Sequence, residues 1–319
     1  MNKRIPVTLI TGFLGAGKTT LLNHLVSNPE EKFALLVNEV GAIHIDEALI
    51  ERGDEEMIEL TNGCICCSIR ADLRDTLLRI AKKHKAGEMK FDRLVIETTG
   101  IADPGPILQT FYFESAIEQQ FVISSVVTLV DGAHFDRNLV YEEAVKQIGF
   151  ADVVLLNKID LLDQEKAAEV RKSIEEINPS AKVIETIQSD VSAKELFETF
   201  HFPLDEEQRL SLRQDASIRA GETFTALTIV EERPLDQSRF ATVLREVIEA
   251  YGEDLYRYKG ILRFDGTDAK IILQGTGMIY GTARRGTFTE DPKSTLVFIG
   301  KNLDEAAIRR GVEAAVSHG

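Results

Sequence analysis

Residues 7–27 read VTLITGFLGAGKTTLLNHLVS, and the order of their parts decides the fold. VTLITG (7–12) is a short apolar run with the pattern of a buried strand, and it ends on a glycine. GFLGAGKT (12–19) fits G-x-x-x-x-G-K-[ST], a loop whose backbone N–H groups curl round phosphates. TTLLNHLVS (19–27) has helical spacing, so the loop opens a helix whose positive end faces the same anion. An ordinary glycine turn would not need Lys18. With a strand before it and a helix after it, the stretch reads as a nucleotide-binding loop. Gly12, Gly15, Ala16, Gly17 and Thr20 then line the nucleotide, Lys18 contacts the β and γ phosphates, and the Thr19 hydroxyl binds Mg²⁺.

Working outward, FALLVN (33–38), RLVIE (93–97), SSVVTLVD (124–131) and DVVLLN (152–157) are further apolar strands. Helical patterns fall between several of them; SIRADLRDTLLRIAKKHK (68–85) sets Leu73, Leu77 and Ile80 on one face. This alternation predicts an α/β fold, a mainly parallel sheet covered by helices on both faces. In such sheets ligands bind at the carboxyl ends of the strands. The pattern changes at HFPLDEEQRLSLRQDASIRAG (201–221), which is polar, weakly periodic and linker-like. Beyond it come FTALTIV (224–230), a helix over 238–252, strand-like pieces through LVFIG (296–300) and a final helix over about 304–316. The expected organisation is a nucleotide domain over 1–202, a linker over 203–221 and a smaller α+β domain over 222–319.

The chain has 319 residues, 44% of them hydrophobic and 28% charged, which suits a globular protein with a real core. Its net charge of −15 disfavours nucleic acid, whose binding needs basic patches. No apolar run approaches the length of a membrane span, and the N-terminal run is too short for a signal peptide. A cytoplasmic location without membrane association is therefore expected.

Two further motifs sit at predicted strand ends. NKID (157–160) closes DVVLLN and matches the Asn-Lys-x-Asp element of GTPases. The Asp160 carboxylate can accept from both the ring N–H and the 2-amino group of guanine, a donor pair adenine lacks. Asn157 and Lys158 would brace the loop and cover the base; the bland alternative is a surface turn. ETTG (97–100) closes RLVIE. Glu97 could reach Mg²⁺ directly or through water, and the Gly100 N–H could contact the γ-phosphate, although Glu97 could also merely cap a turn. Ile101 stands where Ras-type enzymes carry a water-positioning glutamine, which predicts slow intrinsic hydrolysis. Asp103 is a candidate polar substitute.

All three cysteines, Cys64, Cys66 and Cys67, fall in LTNGCICCSIRADL (60–73). A reducing compartment and the strain of a bond between adjacent cysteines argue against a disulfide. Thiolates suit Zn²⁺ and similar soft ions, and structural zinc normally has four protein ligands. Three thiols would make an incomplete site, whose fourth ligand is water, a His or carboxylate, or a group from another protein. A redox-sensing thiol and plain packing remain the alternatives.

The phosphate loop, NGCICC, ETTG and NKID, in this order, resemble the CobW family of GTPases, in its YjiA-like branch. TLITGFLGAGKTTLLNHL, FDRLVIETTGIADPGPILQTF, RYKGIL and STLVFIG extend the resemblance over essentially the whole chain. It implies a P-loop GTPase domain of the metallochaperone type, then a CobW C-terminal domain. It also implies handling of zinc, or of a similar metal such as cobalt or nickel, for an unidentified client metalloprotein. Asp46 matches a family aspartate and is a candidate Mg²⁺ or switch contact. Where the family often has NEFGE, this chain reads VNEVGAIHID (37–46). Glu39 and Gly41 are kept, but Val37 and Ala42 stand where carboxylates often occur, so accessory metal binding there does not carry over. The expected mechanism is a GTP-gated metal loop. A redox-sensing regulatory GTPase without metal cargo is the alternative from another class.

Overall fold

The structure, a computed structural model, describes residues 4–27, 32–37, 57–59, 68–197, 216–220, 224–288 and 292–317. The chain divides into two compact units, Met1–Arg171 with Ala181–Phe200, and Lys172–Ser180 with His201–Gly319. Each is described by itself.

In the first unit the elements run β1 (Ile5–Gly12), α1 (Lys18–Val26), β2 (Phe33–Val37), β3 (Met57–Glu59), α2 (Ser68–Ala86), β4 (Arg93–Glu97), α3 (Gly105–Phe113) and α4 (Ser115–Glu118). They continue with β5 (Phe121–Asp131), α5 (Phe135–Asn138), α6 (Glu142–Phe150), β6 (Val153–Asn157), α7 (Gln164–Ile177, which passes into the second unit at Lys172), β7 (Lys182–Thr186) and α8 (Ala193–Phe197). Among the described residues the sheet order is β3-β2-β4-β1-β5-β6-β7, with every neighbouring pair parallel. The strands are continuous apolar runs because both faces are covered. Leu21, Leu22 and Leu25 of α1 share one buried cluster with Ile10, Leu129 and Leu155 of the sheet.

The placement of β1 sets the site. Strands preceding β5 in the chain lie on one side of β1, and β5, β6 and β7 lie on the other. The order reverses at β1, which is where the carboxyl ends of a parallel sheet open a crevice. Gly12, Glu97, Asp131, Asn157 and Thr186 all end their strands at this edge. Among the described residues no helix is long and apolar enough to cross a membrane.

The second unit contains β8 (Ala216–Ala220), β9 (Phe224–Glu231), the helix Gln237–Tyr251, β10 (Leu255–Arg263), β11 (Ala269–Thr276), β12 (Ile279–Thr287), β13 (Ser294–Lys301) and the helix Glu305–Ala314. Its sheet runs β12-β11-β10-β13-β9-β8 and is antiparallel throughout. Leu244 and Ile248 of one helix and Ile308 and Val312 of the other share a buried cluster with Leu227, Tyr258 and Phe298. Asp236 and Asp304 begin these helices, each accepting a backbone N–H three residues on, at 2.8 and 2.9 Å. Among the described residues β12 and β8 are the two edges of this sheet, and on β12 Gly281–Thr287, including Arg284 and Arg285, is exposed along its length.

Ala216–Ala220 lies where a linker was expected, yet it pairs with β9 from Ala216↔Thr228 to Ala220↔Phe224. ASIRA is too short to show a strand period, and its ladder is supplied by a neighbour that is legible. Tyr258 explains a glycine in β11. Gly275 lies directly opposite it, and a Cβ there would overlap the Tyr258 ring, which is fully buried. Gly275→Ala is expected to cost about 1–3 kcal/mol through overpacking. Gly281→Ala, with nothing within 4 Å of the added carbon, should stay within about 0.5 kcal/mol of wild type. Urea unfolding midpoints of the two variants check this.

Candidate functional site

Three glycines of the loop after β1 have φ values that only glycine adopts freely: 141° at Gly12, 75° at Gly15 and 110° at Gly17. Two are also sterically required. A Cβ on Gly12 would overlap the Leu129 carbonyl oxygen, and one on Gly17 would stand 2.5 Å from both Asn157 Nδ2 and Ser189 Oγ. Gly17 is the N-cap of α1 and offers no side-chain cap, and the first turn holds no acidic residue. The first N–H groups of α1 are thus left for an anion. Lys18 is buried, and its Nζ donates to Gly12 O at 2.8 Å and Phe13 O at 3.3 Å, so the ammonium lies over the loop. Thr19 is half-buried and Thr20 exposed.

β4 brings ETTG against this loop. Glu97 pairs in register with Ile10 of β1 and is buried. Thr98 Oγ1 donates to Thr11 Oγ1 at 2.9 Å, tying the two strand ends together. Gly100 is pressed against the loop: a Cβ there would stand 2.8 Å from the Leu14 nitrogen. Gln147 of α6, fully buried, holds the turn from behind, its Nε2 donating to Gly100 O at 3.2 Å and Ala102 O at 3.1 Å. Asp103 is committed elsewhere. It accepts the Gly105 N–H at the start of α3 at 2.8 Å and pairs with Lys146 Nζ at 3.3 Å. Burial pushes the Lys146 ammonium down, but Asp103 and Glu142 outweigh it and leave its pKa raised.

On the other side of β1 stand Asn157 and Lys158. The Asn157 amide is fully used. Its Nδ2 donates to Ala16 O at 2.9 Å and to Ser189 Oγ at 3.0 Å. Its Oδ1 accepts from Ser189 N at 2.9 Å and from Thr186 Oγ1 at 3.2 Å. Ser189 Oγ also donates to Gly17 O at 3.1 Å. Asn157 therefore braces the phosphate loop and the 186–189 turn together. Lys158 has φ 63° and ψ 34°, a left-handed backbone, and precedes the short 3₁₀ turn Ile159–Leu161 that exposes Asp160. Its Nζ donates to Asp131 Oδ2 at 2.7 Å. His134 donates to the same carboxylate from Nδ1 at 3.0 Å and from its backbone N–H at 3.2 Å. Burial pushes the Asp131 carboxyl up, but the bonds and charges of Lys158 and His134 prevail and hold its pKa below the ordinary 3.8.

A cleft of about 570 Å³ opens here, lined by Phe13, Gly15, Ile101, Asp131, Lys158 and Tyr141 among others. The Phe13 and Tyr141 rings stack beside it with centroids 5.0 Å apart. The fold thus gathers Gly12, Gly15, Ala16, Gly17, Lys18, Thr19, Glu97, Gly100, Asn157, Lys158 and Asp160 at one edge of the sheet. Cys64, Cys66, Cys67 and Asp46 lie outside the described residues. Among the described residues no cluster of three or more His, Cys, Asp or Glu could hold a metal. Sequence reading missed Asp131, Gln147 and Ser189. The Asp that closes SSVVTLVD carried a signal, standing at a strand end beside the other motifs; Gln147 and Ser189 carried none.

Residues 6–185 match the model of the CobW/HypB/UreG nucleotide-binding domain, and residues 224–316 that of the cobalamin synthesis protein cobW C-terminal domain. The chain is 38% identical over 309 residues to the zinc chaperone YjiA of Escherichia coli K12, covering 96% of each protein. It is 41% identical over 191 residues to the zinc-regulated GTPase metalloprotein activator 1 of Schizosaccharomyces pombe, covering 57% of this chain and 46% of that protein. The crystal structure of the Zn(II)-bound YjiA GTPase from E. coli superposes with a TM-score of 0.74 at 30% identity, covering 99% of this chain and 100% of that one.

Two outcomes are expected. Asn157→Ala leaves the buried Ser189 N–H without its acceptor and should cost about 1–3 kcal/mol in chemical denaturation. The depressed Asp131 pKa makes its contribution to stability complete above 3.8 and lost as pH falls through the lower folded value. Wild type should therefore lose more stability than Asp131→Asn as urea unfolding is followed from neutral pH down through that acid window.

Proposed function

Because the chain belongs to the CobW/HypB/UreG family, we propose that it is a GTP-hydrolysing metallochaperone that takes up Zn²⁺ and passes it to a client metalloprotein. One observation carries the nucleotide half of this reading. Asn157, at the base end, is bonded at 2.9 Å to Ala16 O, at the phosphate end, so the two halves of a nucleotide site are held in one frame. The phosphates sit on the N–H groups of the loop and the positive end of α1, with Lys18 over the β and γ positions. Asp160 takes the ring N–H and 2-amino group of guanine, while Lys158 covers the base. Thr19 and Glu97 offer oxygen donors, the class Mg²⁺ takes, and the ion when bound neutralises charge on the β and γ phosphates.

Gly100, pressed against Leu14, is the group that registers the γ-phosphate. Turnover by the protein alone is slow on this reading. Ile101 is apolar and 58% exposed, and the carboxylate of Asp103 is already bonded, so neither side chain aligns water.

The metal half rests on the sequence of this chain and the names of its relatives. Two relatives are called a zinc chaperone and a zinc-regulated GTPase metalloprotein activator. Cys64, Cys66 and Cys67 supply three soft thiolates immediately before α2, one short of a closed zinc site, which favours exchange over storage. The protein acts in the cytoplasm, where thiols stay reduced. GTP with Mg²⁺ at the phosphate loop, Asp46 being a candidate contact, favours metal binding by the three cysteines, and loss of the γ-phosphate weakens it. Reciprocity then requires Zn²⁺ to favour the GTP state. The expected result is tighter Zn²⁺ binding with a non-hydrolysable GTP analogue than with GDP, roughly tenfold, and no such difference in Cys66→Ala. Equal affinities in both nucleotide states of the wild type would refute the coupling, and competition with Co²⁺ and Ni²⁺ in the same titration identifies the cargo.

A further inference from the structure

Asp131 belongs to none of the sequence motifs, yet it holds the residue on which the base turn depends. Its side chain is only 4% exposed, at the end of β5, and pairs in register with Asn157 of β6. It receives three donors: Lys158 Nζ at 2.7 Å, His134 Nδ1 at 3.0 Å and His134 N at 3.2 Å. An ionised carboxylate only accepts, so the His134 ring carries its proton on Nδ1 toward Asp131. Lys158 meanwhile has φ 63°, a conformation unfavourable for a residue with a Cβ. That conformation starts the Ile159–Leu161 turn and so fixes where Asp160 is presented. A strained backbone persists only where its surroundings over-determine it, and the Asp131–Lys158 pair is the contact that does so from the side-chain end.

We propose that Asp131 is a positioning residue for guanine recognition: by anchoring Lys158 it holds the left-handed turn that aims Asp160 at the base. This rests on the assignment of Asp160 to guanine made above. His134 steadies the carboxylate from its other side. The carboxylate does not touch the nucleotide; it acts through Lys158.

The test compares GDP with IDP, which lacks the 2-amino group. Both share phosphates, sugar and stacking surface, so their affinity ratio reads only the geometry of Asp160 at the base edge. Asp160→Asn should collapse the wild-type preference for GDP; no preference in wild type, or one that survives Asp160→Asn, overturns the guanine reading itself. If that control holds, Asp131→Asn is expected to lower the GDP/IDP ratio roughly tenfold, the loss of one charge-assisted contact. Asn can still accept the His134 N–H, so the capping bond is kept. Lys158→Met should lower the ratio similarly, and adding Asp131→Asn to it should lower it little further. A merely structural role would weaken GDP and IDP alike and leave the ratio unchanged, which would overturn the positioning proposal while the guanine reading stands. A full further loss in the double variant would overturn the route through Lys158. Should Asp131→Asn fail to fold, an unchanged ratio in Lys158→Met overturns the proposal, and a collapsed ratio supports it.

Discussion

The edge of the sheet where the chemistry gathers depends on one amide. Asn157 uses both of its N–H donors and both acceptor positions on groups from two separate stretches of chain: Ala16 of the phosphate loop, and Thr186 and Ser189 at the end of β7 and in the turn after it. A buried amide with every position filled is rigid in a way that a charged side chain at the surface is not. The loop it grips is built largely of glycine, which on its own would sample many conformations. The glycines make the shape possible, and Asn157 with Ser189 selects it. The two sides even exclude a larger residue at position 17, since the space of a Cβ is taken by the bracing atoms themselves.

The same economy recurs in the backbone. Lys158, Gln188 and Ser189 carry φ values of 63°, 53° and 57°, all unfavourable for residues with side chains. Each such position costs about 1–2 kcal/mol. Two of the three, Lys158 and Ser189, are bonded by side chain to the floor of the site, through Asp131 and through Asn157 with Gly17. Strain is concentrated where the molecule must present groups at an unusual angle, and charge-assisted or buried hydrogen bonds offset it.

How far this could be read from the sequence follows from where each signal resides. β1, β4 and β6 were legible because each is a continuous apolar run ending in a polar motif, and the loop of Gly12, Gly15 and Gly17 marks its own conformation. The helices over 68–85 and 238–252 were legible by spacing and agree with Ser68–Ala86 and Gln237–Tyr251 to within a residue. Ser189 was not: its partners Asn157 and Gly17 lie 32 and 172 positions away, and a serine in a polar turn looks like any other. Gln147 was hidden for the same reason, a polar residue on α6 whose bonds go to a different loop. Asp103 misled, because a carboxylate near a catalytic turn looks available until its capping bond to Gly105 is seen. Strands β3 and β7 are too short or too polar for their period to speak, and β8 is defined by its neighbour.

One edge of the second sheet has a consequence for how the protein lives at high concentration. Among the described residues β12 pairs on one side only, so Ile279–Thr287 offers a row of backbone groups on the other, a template on which a second copy could zip. Adjacent arginines, Arg284 and Arg285, lie on this strand, and both are exposed. Two such edges meeting antiparallel would bring four guanidinium groups together with the burial of none repaid. The chain as a whole is strongly anionic, yet this edge carries two adjacent cations, so the local sign guards against the contact that overall charge would oppose only at a distance. The arginine pair is a solubility device written into a strand.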